Sequence, residues 1–206
     1  MKFGGTSVAN VEKIKNVAKI VSKNYKKNKI VVVLSAMSGV TNQLQSFIDE
    51  IDYFPSEETD LIMTSGEQVT IGLLSMILNK QGIKSKPLLG WQIPIVTDEN
   101  HEKARILNIE NKTIHHFFKS HDVIVLAGFQ GISLSCQITS LGRGGSDTTA
   151  VAIASSLSAE RCDIFTDVKG VFTTDPNIVS DAKKIDKLAY EEMLEMASTG
   201  AKVLQT

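Results

Sequence analysis

The sequence predicts an α/β fold: a three-layer α-β-α sandwich around a mainly parallel central sheet. Three observations carry this. First, Ile30–Leu34 and Val123–Ala127 are continuous apolar runs rich in β-branched residues, without polar alternation. That is the pattern of strands covered on both faces. Second, segments of helical period alternate with such runs, as in Val11, Ile14, Val17, Ala18 and Val21. Third, small and polar residues follow the strands, at Ser35–Gly39, Gly128–Gly131 and Asp167–Gly170. In open α/β sheets ligands bind at the carboxyl ends of strands, so the chemistry is concentrated where a site belongs.

In chain order, Lys2-Phe3-Gly4-Gly5-Thr6-Ser7-Val8 forms the first strand-to-helix turn. A helix is expected over residues 9–23, with Ser7 or Asn10 as its cap. The strand Ile30–Leu34 follows. Residues 52–59 are a polar, proline-containing connection, and Leu61 to Leu78 is a helix stopped near Gly82. Residues 102–119 read as helical, then Val123–Ala127 as a strand. The run Leu141–Ala150 opens into a helix over 147–158, and Asp163–Thr166 is a shorter strand. Residues 174–187 are a second polar connection. A last helix over 190–199 places Tyr190, Met193, Leu194 and Ala197 on one face.

The chain has 206 residues, 42% of them hydrophobic, enough for one large domain or two lobes sharing a sheet. Its 22 basic and 23 acidic side chains leave a net charge of -1, which argues against a nucleic-acid or anionic-membrane partner. No apolar run approaches a membrane span, and the start lacks a signal-peptide core. A cytoplasmic protein is expected. Cys136 and Cys162 fit no metal or redox spacing and are expected to be buried free thiols.

The run Leu141-Gly142-Arg143-Gly144-Gly145-Ser146-Asp147-Thr148-Thr149-Ala150 carries the clearest chemistry. Glycines let backbone approach a ligand, and a helix start offers free N–H groups and a positive dipole end. The arginine adds a fork for carboxylate or phosphate. Ser146 and Asp147 also suit a cap and a dipole-complementing first-turn acid, but neither role explains the arginine. Lys2 before Gly4 and Gly5 is a candidate second anion-binding turn, not of the Walker type; taken alone it reads rather as a surface lysine before an ordinary glycine turn. Glu67 in Thr64-Ser65-Gly66-Glu67 reads from spacing as a capping box with Thr64, and alternatively as a carboxylate for a substrate ammonium. Ser35 and Thr41 flank a turn. His101, His115, His116 and His121 read as surface residues, and Trp91 as a packing anchor.

Together these segments resemble aspartate kinases, of the amino-acid kinase (carbamate-kinase-like) fold. The matching stretches are Lys2–Val8, Ser35–Thr41, Ser65–Gln68, Gly90–Thr97, Ala127–Gly131, Leu141–Ala150, Thr166–Pro176 and Tyr190–Leu204. The resemblance implies transfer of the ATP γ-phosphoryl group to the β-carboxylate of L-aspartate with Mg²⁺, the first step toward lysine, threonine, methionine and isoleucine. It implies Lys2 and Asp147 as catalytic. It implies Ser35, Thr41, Glu67, Arg143, Gly144, Gly145 and Ser146 around aspartate, with Arg143 on the α-carboxylate and Glu67 on the amino group. Lys2, Phe3, Gly4, Gly5, Thr166, Asp167, Phe172, Asn177 and Lys202 would meet the nucleotide, and no side chain is assigned to the metal. Phe172 stands where the family commonly has Tyr, and Asn177 where some members have a basic residue. About 1–135 would form the amino-acid lobe and 136–206 the start of a nucleotide lobe. The expected chain is truncated at both ends, lacks ACT regulatory domains, and forms a homodimer when intact. Acetylglutamate- or glutamate-type kinases, or a subunit that only binds nucleotide, are the alternatives.

Overall fold

Strand Ile30–Leu34 (β2) has no polar position because both of its faces are covered, and the same holds for Val123–Ala127 (β6), where every residue is buried. The computed structural model describes residues 1–168, 170–175 and 178–198. Residues 1–165 form one compact unit and 166–206 another.

In the first unit, β2 and β6 are the middle of a five-stranded sheet. Its other strands are Lys2–Phe3 (β1), Ser85–Leu88 (β3) and Ile164–Phe165 (β9). The order is β3-β6-β2-β1-β9, and every pairing is parallel. Pro87 is tolerated because β3 is an edge strand. Side chains alternate across a strand, so β6 feeds two cores. Val123, Val125 and Ala127 face one cluster, and Ile124 and Leu126 face the other.

The first cluster is closed by helix Val11–Ser22 (α1), through Ile14, Val17, Ala18 and Val21, and by helix Ser65–Lys80 (α4), through Ile71, Leu74 and Leu78. The cap of α1 is Asn10, whose side chain accepts from the Lys13 amide at 2.9 Å. The second cluster is closed by Ile114 of helix Lys112–Phe117 (α5) and by Ala150 and Ile153 of helix Gly145–Ser156 (α6). Helices cover both faces of a parallel sheet, which is the predicted three-layer sandwich.

The remaining elements correct the sequence reading. A second, four-stranded sheet is built from Ile95–Thr97 (β4), Ile106–Ile109 (β5), Gln130–Ser133 (β7) and Ile138–Ser140 (β8), in the order β5-β4-β7-β8. The helix expected over 102–119 is therefore strand β5 followed by the short α5. Ile106 and Ile109 pack against the second core while β5 pairs antiparallel with β4, and this partner overrides the local pattern. The helix expected from Leu61 begins earlier and is split at Thr64, into Glu57–Met63 (α3) and α4. A capping box does form, but at Ser56 and Thr59. Helix Val40–Ile51 (α2) precedes them. Together, residues 57–80 are long and apolar enough to cross a membrane by length and composition, and half of the span is buried in the fold. Both cysteines are exposed rather than buried.

In the second unit, Phe172 bridges Lys184 in antiparallel fashion, flanked by bonds from the Thr173 amide to the Lys183 carbonyl and from the Ile185 amide to the Val171 carbonyl. Helix Tyr190–Ser198 (α7) follows, with Glu192 accepting from the Ala189 amide at 2.7 Å. On its expected apolar face Met193 is half-buried and Leu194 exposed.

Candidate active site

Two of the cavities on the first unit are large enough for a small-molecule ligand. The larger, about 900 Å³, lies at the amino ends of the strands beside Met1, Ile30 and Asp163. There burial pushes the Met1 ammonium pKa down while it donates to the Val31 carbonyl at 2.8 Å. The smaller, about 670 Å³, lies where β1, β2 and β6 end and gathers the charged loops. The smaller is the candidate site, since carboxyl strand ends are where parallel sheets bind ligands.

Strand β1 alternates. Phe3 turns into the core, 1% exposed, and stacks on Phe165 at 4.4 Å between ring centroids. Any contact of Phe3 with a nucleotide is thus through its main chain. Lys2 turns the other way, and its Nζ lies 2.7 Å from Asp147 Oδ1, with both side chains largely buried. Gly5 closes the turn against the next loop: a Cβ there would sit 3.0 Å from the Ala36 carbonyl oxygen, and its own carbonyl accepts from the Ser38 amide at 3.2 Å.

Asp147 is held by the start of α6. Gly142 and Gly144 have φ of +73° and +76°, left-handed values open to glycine, and Arg143 stands between them. The cap of α6 is Gly144, not Ser146, and no side chain caps it. Ser146 instead packs under Gly128, where a Cβ would meet the Ser146 Cβ at 2.7 Å. This close approach brings α6 against the end of β6. Asp147 sits in the first helical turn, where its charge complements the positive helix end as well as Lys2.

Glu67 occupies the first turn of α4 and is 3% exposed. The expected capping box with Thr64 does not form. Thr64 Oγ1 donates to the Asp60 carbonyl at 2.8 Å, while Glu67 Oε1 accepts from the Ala36 amide at 3.0 Å. Its Oε2 is buried and meets no partner among the described residues. Burial pushes the Glu67 pKa up to about 7, opposed by the Ala36 bond. The site thus holds a carboxylate that gains from any cation placed beside it.

The cavity brings together Lys2, Gly4, Gly5, Ser35, Thr41, Glu67 and Arg143 through Asp147. Ser35 is fixed by its amide on the Phe3 carbonyl (3.2 Å) and by Thr70 Oγ1 donating to its carbonyl at 2.9 Å. Thr41 lies in the first turn of α2, behind Gly39 at φ +86°. Asn42, Gln45, Met63, Glu102, Lys103, Phe129 and Ser140 also line it and were missed. The helical spacing from Thr41 to Gln45 was a usable signal; the loop residues carried none. His101 is no free surface residue, for its Nδ1 lies 2.8 Å from the buried Asp60.

In the second unit, Thr166 Oγ1 donates to Asp167 at 3.3 Å and accepts from the Val168 amide at 3.5 Å. Phe172 is half-buried. Asn177 and Lys202 lie outside the described residues. Among the described residues no group of three or more His, Cys, Asp and Glu is placed to hold a metal ion. The first-unit cavity therefore gathers Lys2, Lys103 and Arg143, a helix start, and the buried carboxylate of Glu67 with no cation beside it among the described residues. Such a set is chemically suited to an anionic group beside an ammonium.

The chain is 53% identical over 208 residues to an aspartate kinase of Pseudomonas fluorescens, covering 99% of this chain and 50% of that protein. It is 48% identical over 208 residues to an aspartokinase of Rickettsia felis, covering 98% and 52%. The chain thus spans about half the length of the curated relatives it matches. Among solved structures, Escherichia coli aspartokinase III in complex with aspartate and ADP matches with a TM-score of 0.87 at 29% identity, over 98% of this chain and 56% of that one. Aspartate kinase from Synechocystis matches at 0.83 and 43%, over 98% and 34%. Residues 1–206 match the amino acid kinase family throughout. The fold, the paired glycine turns at the strand ends and this match agree: the chain belongs to the amino acid kinase family.

Proposed function

We propose that the chain carries the phosphoryl-transfer site of an aspartate kinase, passing the γ-phosphoryl group of ATP to the β-carboxylate of L-aspartate. The observation that carries this is Glu67: a buried carboxylate with one unpartnered oxygen, in the same cavity as Arg143 and Lys2. A free α-amino acid supplies the missing cation, whereas an N-acylated acceptor would leave Glu67 unmatched.

On this reading Arg143 grips the α-carboxylate and Glu67 the ammonium, leaving the side-chain carboxylate directed toward Lys2. That carboxylate is already a nucleophile at neutral pH. Its oxygen forms a bond to the γ-phosphorus while the bond from phosphorus to the bridging oxygen of ADP breaks, and the electron pair leaves with ADP. No proton moves, so no general base is required. The chain's contribution is positioning and charge neutralisation. Lys2 stabilises the charge on the transferring group, Asp147 holds Lys2 in place, and the α6 start and Gly4–Gly5 turn offer backbone N–H groups. Mg²⁺ enters as part of MgATP, since magnesium takes one or two carboxylates beside substrate phosphates and no cage of side chains is needed. Thr166, Asp167 and Phe172, with Asn177 and Lys202, are assigned to the nucleotide by the same reading, in a lobe starting near residue 136. The product is the first intermediate toward lysine, threonine and methionine, and the intact protein acts as a homodimer in the cytoplasm.

The test is ADP release from MgATP with L-aspartate, with hydroxylamine trapping the acyl phosphate. Aspartate-dependent hydroxamate is expected, reduced at least about a hundredfold by Lys2→Ala or Arg143→Ala. Turnover with acetylglutamate but not aspartate would sink the reading.

A further inference from the structure

Outside the groups assigned above, the first unit holds a second buried carboxylate. Asp60, on α3, is completely buried. Its Oδ2 lies 2.8 Å from His101 Nδ1, and its Oδ1 accepts from the Glu102 amide at 3.1 Å and from Ser140 Oγ at 2.5 Å. A carboxylate only accepts, so Nδ1 is the protonated nitrogen of His101. One side chain therefore joins three separate segments: α3, the 101–104 loop and the end of β8.

These segments are the walls of the candidate site. Glu102, Lys103 and Ser140 line its cavity. The Ala104 amide donates to the Ser140 carbonyl at 2.9 Å, locking loop to strand. The Glu102 carbonyl oxygen presses on the Arg143 loop, where a Cβ at Gly142 would meet it at 2.9 Å. Arg143 stands three residues beyond Ser140, and Glu67 seven residues beyond Asp60, one turn into the next helix. Asp60 is thus the buried charged point at which the segment carrying Arg143 is fastened to the segment carrying Glu67, beside the bonds from Gln137 to Glu57 and from Gln130 to the Thr64 carbonyl.

We infer that Asp60, His101 and Ser140 form a positioning clamp that sets the separation of Arg143 and Glu67, and through it the fit of the amino-acid acceptor. This rests on the reading of Arg143 and Glu67 as the groups that hold the α-carboxylate and the ammonium. None of the three residues touches the reacting atoms. Their effect is expected on acceptor binding first, because Asp60 bonds to the segments around His101–Glu102 and Ser140 and makes no bond to Lys2, Asp147 or the Gly4–Gly5 turn.

The experiment compares KM for L-aspartate, KM for MgATP and kcat in the wild-type chain and in Asp60→Asn, His101→Ala, His101→Asn and Ser140→Ala, with L-aspartate binding by calorimetry alongside. Asp60→Asn and His101→Ala are expected to raise the aspartate KM and Kd about tenfold or more, the loss of one hydrogen bond to a charged group. KM for MgATP stays within about twofold. His101→Asn, whose Nδ2–H takes the place of Nδ1–H, restores aspartate binding to near wild type. A parallel rise in both KM values overturns the clamp, as does a His101→Asn variant as weak as His101→Ala. So does a loss of melting temperature with unchanged aspartate KM. Should Asp60→Asn fail to fold, the two His101 variants decide the matter alone. A wild-type chain that binds nucleotide but not aspartate removes the functional reading itself, before any variant is compared, and the clamp with it.

Discussion

Glu67 is the residue on which the chemistry and the stability of the fold pull in opposite directions. Its pKa is pushed up to about 7, from an ordinary value near 4.5, chiefly by burial. The folded state therefore prefers the neutral form. The associated stability is fully present below about pH 4.5 and lost as pH rises through 7, to an extent of roughly 3 kcal/mol. Glu67→Gln is neutral throughout, so above pH 7 its melting temperature should exceed that of wild type, with the gap closing toward pH 5. Ligand binding runs the other way. An ammonium requires the ionised carboxylate, so aspartate affinity is expected to rise about tenfold between pH 6 and pH 8. Calorimetry across that range should show the rise in wild type and a flat, weak response in Glu67→Gln. A wild-type affinity unchanged with pH would remove Glu67 as the ammonium partner.

At the scale of elements, the site depends on how closely α4 approaches the loop after β2. The contact is made at Gly66, where a Cβ would lie 2.7 Å from the Ala36 Cβ and 3.1 Å from Val40 Cγ1. Ala36 is the residue whose amide holds Glu67. Gly66→Ala gains a little helix propensity but overpacks this contact, so a net loss of about 1–3 kcal/mol is expected in urea unfolding. Ala36→Gly in the same chain should recover part of it, a coupling that a double-mutant cycle measures. Additivity of the two substitutions would show that the contact is not shared. The same close packing explains why the helix break falls at Thr64. Its hydroxyl bonds back to Asp60, and Gln130 Nε2 donates to its carbonyl at 3.3 Å, leaving Glu67 free to turn inward.

For the first unit as a whole, β6, like β2, feeds both cores. Leu126 is fully buried between β2 and β3 and faces the second cluster, while its neighbours Val125 and Ala127 face the first. Leu126→Ala removes side-chain volume from a position that cannot collapse without moving a central strand. About 2–5 kcal/mol of stability should be lost, read as a lower urea midpoint with an unchanged slope. A loss below 1 kcal/mol would mean that the second cluster repacks freely. Gly128 and Phe129 follow directly, so the variant also tests whether the site tolerates slack in its scaffold.

The sequence by itself determined the covered strands Ile30–Leu34 and Val123–Ala127, the helices that flank them, and the two glycine turns around Lys2 and Arg143. Those features are local: continuous β-branched runs, helical periods and glycines where a turn needs positive φ or a close approach are written in adjacent residues. It also named most residues of the cavity, because the family's motifs coincide with the turns at strand ends. Only the tertiary structure decided the rest. Strand β5 exists because β4 lies beside it, against a local helical pattern. Glu67 abandons its neighbour Thr64 for Ala36, a residue 31 positions away. His101 leaves the surface for Asp60, 41 positions away, and Ser140 meets that carboxylate from 80 positions away. A buried polar group must find its partners wherever the fold places them, and sequence spacing cannot report contacts that only folding brings within reach.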